Sequence, residues 1–173
     1  MKKLFRPYLT AFLLGALLIS TASCDDDDPK PVEDSENITS MTISLEPVST
    51  TKGIDPAEAT YTTGTTPTLQ LAPNATYDAT ITFNDNIEAE INTEAEDHEL
   101  FYKASEDLMI VQKTDFDDNG LPIGLKARIT TGNSGETGEL TVTLKHQEGL
   151  KPDVSDETIG STDFVGKFNV SIQ

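Results

Sequence analysis

His98 and His146 are the only two histidines in this chain, and each sits at the end of an alternating apolar segment. His98 opens Glu99-Leu-Phe-Tyr-Lys103, and His146 closes the run carrying Leu140, Val142 and Leu144. If those segments pair as antiparallel neighbours, both imidazoles lie at the same end of one sheet. His146 also keeps the parity of the three apolar residues before it, which puts its ring at the rim of a core. Asp97, Glu99 and the acidic segment before them are expected to add oxygen ligands, and imidazole with carboxylate suits zinc, copper or iron, free or in a complex. Two histidines fall short of the four ligands of a closed zinc site, and each alone also reads as a rim histidine bonded to a loop carbonyl. A second constellation, Asp115-Phe-Asp117-Asp-Asn119-Gly120, opens like a calcium loop, where alternate oxygens of Asp115, Asp117 and Asn119 would converge on a hard cation. Lys126 stands where the bidentate Glu should be and Pro122 interrupts the loop, so a turn between strands at 108–113 and 124–130 is the preferred reading.

Covalent chemistry has less to work with. The chain holds no Gly-x-Ser-x-Gly elbow, no His-Glu-x-x-His helix and no phosphate-cradling glycine loop, and its single cysteine is Cys24. Counting carboxylates leaves a glycosidase-like pair open in so acidic a chain. A sugar site usually offers aromatic platforms, however, and there is no Trp. A non-enzymatic binding module is expected.

Cys24 is read with the residues before it. Lys2, Lys3 and Arg6 precede an apolar stretch from Tyr8 to Ile19 and the small residues Ser20 to Ser23, the order of a secretory signal. The stretch is shorter than the roughly 20 residues a spanning helix needs. Thr21-Ala22-Ser23-Cys24 resembles the lipobox of bacterial lipoproteins, with Thr21 where Leu is usual. That resemblance implies cleavage of residues 1–23 and lipidation, detectable as palmitate, at Cys24. Having no second Cys in the chain, Cys24 has no disulfide partner there. Residues 24–37 follow as an acidic, proline-containing tether, expected to be disordered because like charges repel and nothing apolar is available to bury. Its opening run, Asp25, Asp26, Asp27 and Asp28, resembles the export signal that sends lipoproteins of the Bacteroidota to the outer face of the outer membrane. In proteobacterial sorting an Asp after the Cys would instead imply retention on the inner membrane; the surface reading is favoured.

Twelve basic residues face thirty acids, and three of the twelve belong to the signal, which leaves the mature chain nine against thirty, a net −21. Phosphate backbones and anionic lipid surfaces would repel such a domain, so nucleic acid is excluded as a partner. Residues 38–173 suffice for one domain with a mainly aliphatic core.

Within them the apolar pattern has a period of two. Met41, Ile43 and Leu45 show it, as do Tyr77, Ala79, Ile81 and Phe83; Leu125, Ala127 and Ile129; Leu140, Val142 and Leu144; and Phe168, Val170 and Ile172. Strands with one buried face follow, separated by turn signals at Ala72-Pro73-Asn74, Asp118-Asn119-Gly120 and Asn133-Ser-Gly135. One segment departs from this rhythm: Ile87, Ile91 and Ala95 recur every four residues among acids, which predicts a short helix within residues 86–97. The fold expected is all-β, an antiparallel immunoglobulin-like sandwich of about eight strands with one short acidic helix, lacking the Cys–Trp–Cys pin of true immunoglobulin domains.

Asp97-His-Glu-Leu-Phe-Tyr102, Asn119-Gly-Leu-Pro-Ile-Gly-Leu125, Gly138-Glu-Leu-Thr-Val-Thr-Leu-Lys-His146 and the tail through Lys151, Val154, Ser155, Thr162 and Asp163 resemble a group of small, acidic, largely uncharacterised surface lipoproteins of Bacteroidota. The resemblance covers most of residues 38–173. It implies association with TonB-dependent outer-membrane receptors and capture of a nutrient or a metal, here expected to be a metal or metal complex. Members of the group often carry a His- and Glu-rich stretch after the lipid Cys, whereas the tether here has no His. A structural or adhesive sandwich without a small-molecule ligand is the alternative.

Overall fold

Side chains on a strand alternate between faces, so a segment that is apolar at every second position can bury one face and wet the other. The computed structural model describes residues 37–48 and 53–173. The expected signal peptide, Cys24, the Asp25 to Asp28 run and all of the expected tether except Asn37 lie outside the described residues. Nine strands form among those described: β1 (Ser40–Pro47), β2 (Ala57–Thr62), β3 (Thr68–Leu71), β4 (Thr76–Phe83), β5 (His98–Ala104), β6 (Met109–Lys113), β7 (Lys126–Thr131), β8 (Thr137–His146) and β9 (Ser161–Ile172). The one α-helix among the described residues, α1 (Ile87–Thr93), separates β4 from β5.

The strands make two sheets, ordered β2-β1-β4-β7-β6 and β3-β9-β8-β5. In chain order, β1-β4-β7-β6 and β5-β8-β9 have the connectivity of the seven-strand immunoglobulin-type sandwich, with β2 and β3 added at the edges. These two are the strands that alternation did not reveal. β2 offers Ala57, Ala59 and Tyr61 to the core, Ala59 buried and the other two partly buried, and β3 has four residues. Six of the seven strand pairings are antiparallel, and β3 with β9 is parallel. The chain crosses from one sheet to the other between β2 and β3, so β3 meets the C-terminal strand running in the same direction.

Between the sheets lies a largely aliphatic core that includes Met41, Ile43, Leu45, Ile81, Ile129, Leu140, Val142, Leu144, Val170 and Ile172. Phe164 packs edge-on against Tyr61 and Phe83, with ring centroids 5.8 and 6.3 Å apart. At Gly166 on β9 a Cβ would lie 2.7 Å from Met41 Sδ, so a side chain there would force Met41 to move. Helix α1 lies against this core through Ile87 and Ile91, with Ala95 just beyond its end partly buried. Burying Ile91 completely is worth about 1.5–3 kcal/mol, enough to hold a seven-residue helix that would not form alone. Its short length has a functional consequence: the chain leaves α1 at Glu94 and enters β5 four residues later, at His98.

Candidate metal centre

β5 and β8 are antiparallel neighbours, and their register sets His98 directly opposite His146. Both residues continue the inward parity of their strands, His98 with Leu100 and His146 with Leu144, so the imidazoles close the same end of the core. The two rings stack, with centroids 4.6 Å apart and planes inclined by 20°. His98 is almost fully buried at 2% exposure, and His146 is half-buried. His98 Nδ1 lies 3.0 Å from the Glu94 carbonyl, where α1 ends. A carbonyl can only accept, so Nδ1 carries the proton and Nε2 is the nitrogen left to face a metal; an outer carbonyl commonly orients a metal-binding histidine in this way.

The third member of the cluster comes from β9 by way of an irregularity. Leu144 pairs with Phe164, but Lys145 pairs with Thr162, so Asp163 is the extra residue of a β-bulge. Regular alternation would send Asp163 to the face opposite Phe164. The bulge re-aims it. Ligand atoms of His98, His146 and Asp163 all lie within 4.8 Å of one another. On a tetrahedral ion at about 2.0–2.1 Å, ligand atoms are roughly 3.3 Å apart, so small rotations of the half-buried His146 and Asp163 would close the set around the fixed His98. Burial pushes the Asp163 carboxyl above the usual carboxylate range, while His146, His98, Lys145 and the Ser161 hydroxyl pull it back down. The turn into β9 is built against this corner: Gly160 has φ +79°, and a Cβ there would land 2.1 Å from the His146 carbonyl oxygen.

Asp97 and Glu99, expected as further ligands, are not part of the cluster. Residues flanking His98 on a strand must point to the opposite face. Glu99, 1% exposed, accepts hydrogen bonds at Oε1 from Lys113 Nζ and Ser155 Oγ, beneath the segment that joins β8 to β9. Burial lowers the pKa of Lys113, and its bond to Glu99 opposes that shift. Asp97 Oδ1 accepts the Gly149 amide at 2.8 Å. The acidic helix contributes a backbone carbonyl to His98, and no carboxylate of it joins the cluster.

The calcium-loop alternative is corrected by the same accounting. Asp115 Oδ1 accepts the Gly124 amide at 2.9 Å, and Asp117 Oδ1 accepts the Asn119 and Leu121 amides at 2.9 and 2.8 Å. Phe116 and Pro122 form a bridge across the turn. Asp117 Oδ2 receives Lys151 Nζ at 2.9 Å, with the two side chains 0% and 3% exposed. An ammonium group thus stands where the cation would have to be. Burial raises the Asp117 pKa, but the Lys151 and amide bonds outweigh it and hold the carboxyl below its ordinary value. Asp115, Asp117 and Asn119 build a turn.

Sequence reasoning brought the two histidines together and missed Asp163 and Lys151. Neither carries a local signal, because a bulge and a long-range ion pair exist only once the strands are paired. A scan of family models and searches of curated proteins and of solved structures return no match to this chain. What its own geometry defines is a cluster of two imidazoles and one carboxylate at the end of a β-sandwich.

Proposed function

We propose that this chain is a lipoprotein of the outer membrane, anchored through Cys24 and facing outward, whose sandwich is a non-enzymatic module that binds a transition metal or its complex. The observation that carries the binding role is the convergence of His98, His146 and Asp163 within 4.8 Å, achieved by one cross-strand pair and one bulge. Two imidazoles and one carboxylate favour zinc, copper or iron over hard cations. The charge of the mature chain suits the role, since a strongly acidic surface concentrates cations near the site. A TonB-dependent receptor is the partner proposed, on the resemblance set out above. The Cys24 motif and the acidic run after it support the address.

Each part has its own experiment. Cells grown with limiting zinc, copper or iron should accumulate less of the cognate metal when they carry His98→Ala, His146→Ala and Asp163→Asn together, at unchanged protein level. Equal accumulation would remove the capture role. Replacing Asp25 to Asp28 with Ala should move the protein from protease-accessible to protease-protected in intact cells, and unchanged shaving would reduce the run to a spacer. The bond from His98 to the Glu94 carbonyl is also what a purely structural rim histidine would make, which favours a ligand-free structural or adhesive sandwich as the second reading. Metal accumulation separates the two.

A further inference from the structure

We infer that the metal centre is incomplete by design: His98, His146 and Asp163 hold three positions, and a small anionic donor from outside the domain fills the next. The inference rests on the metal reading above and specifies what that metal is bound with. Most neighbouring groups are held by other partners; Glu99 Oε2 and Gln147 Oε1 are buried without one, but both residues flank a histidine on its strand and so lie on the opposite face. The Glu94 carbonyl is engaged by His98 Nδ1. Thr162 Oγ1 takes Lys145 Nζ at 3.1 Å. Glu99 and Asp97 sit on the other face of β5 and accept from Lys113, Ser155 and Gly149. Among the described residues the cluster therefore ends at three.

The three ligands also leave a way in. His98 is buried against the end of the helix, but His146 and Asp163 are half-buried and Ser161 and Thr162 are exposed, so the open side faces solvent over the start of β9. A divalent ion on two neutral imidazoles and one carboxylate keeps one net positive charge, which an anionic donor cancels in this half-buried corner. Three protein ligands with an exchangeable position is the pattern of sites that react or pass on their metal, whereas closed four-ligand sites are structural. The ligand class is therefore a metal that arrives with, or leaves to, an anionic oxygen or nitrogen donor.

Cobalt(II), whose visible bands report coordination, tests this with azide as the donor. The protein is the mature chain from residue 24 with Cys24→Ala, which keeps the tether and removes the thiol. Azide should shift the visible bands of the cobalt-loaded protein saturably, at one azide per cobalt, with cobalt still bound after gel filtration. Bands that do not move at saturating azide would mean a centre closed by a further protein ligand, and cobalt stripped by azide would mean a site too weak to share its metal; either overturns the inference while cobalt binding itself stands. Failure to bind cobalt at all overturns the metal reading and this inference with it.

Discussion

Lys151→Met should destabilise the domain by about 3–5 kcal/mol, the cost of leaving a buried charge without its partner. The figure follows from what the ammonium group does. Lys151 Nζ donates to Asp117 Oδ2 at 2.9 Å and to the Ala95 carbonyl at 2.8 Å, and both side chains of the ion pair are essentially inaccessible to water. Removing it strands a carboxylate oxygen and a carbonyl together. A domain has only about 5–15 kcal/mol to lose. Urea unfolding is the assay: with a slope of about 2 kcal/mol/M the midpoint should fall by roughly 2 M at unchanged slope. Acid supplies the sign check. The Asp117 carboxyl is held below its ordinary value in the native state, so its contribution is present above the unfolded value near 3.9 and is lost as pH falls through the lowered native value. In Lys151→Met the stranded carboxyl can take up a proton at higher pH, so the gap to the parent protein should narrow below about pH 5. Adding Asn at position 117 to the same variant should recover much of the loss, because no bare charge remains. A midpoint shift worth less than about 1 kcal/mol would show that the pair is screened like a surface ion pair, and the reasoning would fail.

Ile91→Ala, at a site with 0% exposure, should cost about 2–5 kcal/mol in the same assay; a smaller loss would mean that the helix does not depend on the core. Metal affinity should fall as pH is lowered, because metal ligands bind in their deprotonated form and burial makes the Asp163 carboxyl easier to protonate; a flat profile would contradict these ligands. Asp163→Asn should weaken zinc binding by about tenfold or more, yet leave the metal-free domain at neutral pH no less stable, since burial of that carboxylate raises its pKa and its charge opposes folding above the unfolded value. Equal loss of stability and affinity would make the residue structural. Cys24→Ala should abolish palmitate labelling, and continued labelling of the membrane fraction would refute lipid anchoring at that residue.

Alternation made most of the sandwich legible before any coordinates, because Met41, Ile43 and Leu45, or Leu140, Val142 and Leu144, have only one way to bury a face. The four-residue spacing of Ile87, Ile91 and Ala95 likewise specified the helix. β2 and β3 were hidden for a physical reason: β2 turns two small alanines and one half-buried Tyr61 to the core, and β3 is a four-residue edge strand, so neither makes a strong apolar run. At the site, the pairing of His98 with His146 followed from strand ends and parity. Asp97 and Glu99 were attractive through adjacency, yet adjacency on a strand guarantees opposite faces. Asp163 lies seventeen residues beyond His146 and faces it only because β9 bulges where Leu144 gives way to Lys145, a shift that no single strand encodes.

Calorimetric titration of zinc into the mature chain with Cys24→Ala, beside the same protein carrying His98→Ala and His146→Ala, tests metal binding at this corner most directly. One site per chain with a dissociation constant of about 1 μM or tighter, lost in the double variant, is the result expected. Binding weaker than about 100 μM, or binding that survives removal of both imidazoles, would contradict it and leave the stacked histidines as the end cap of a β-sandwich.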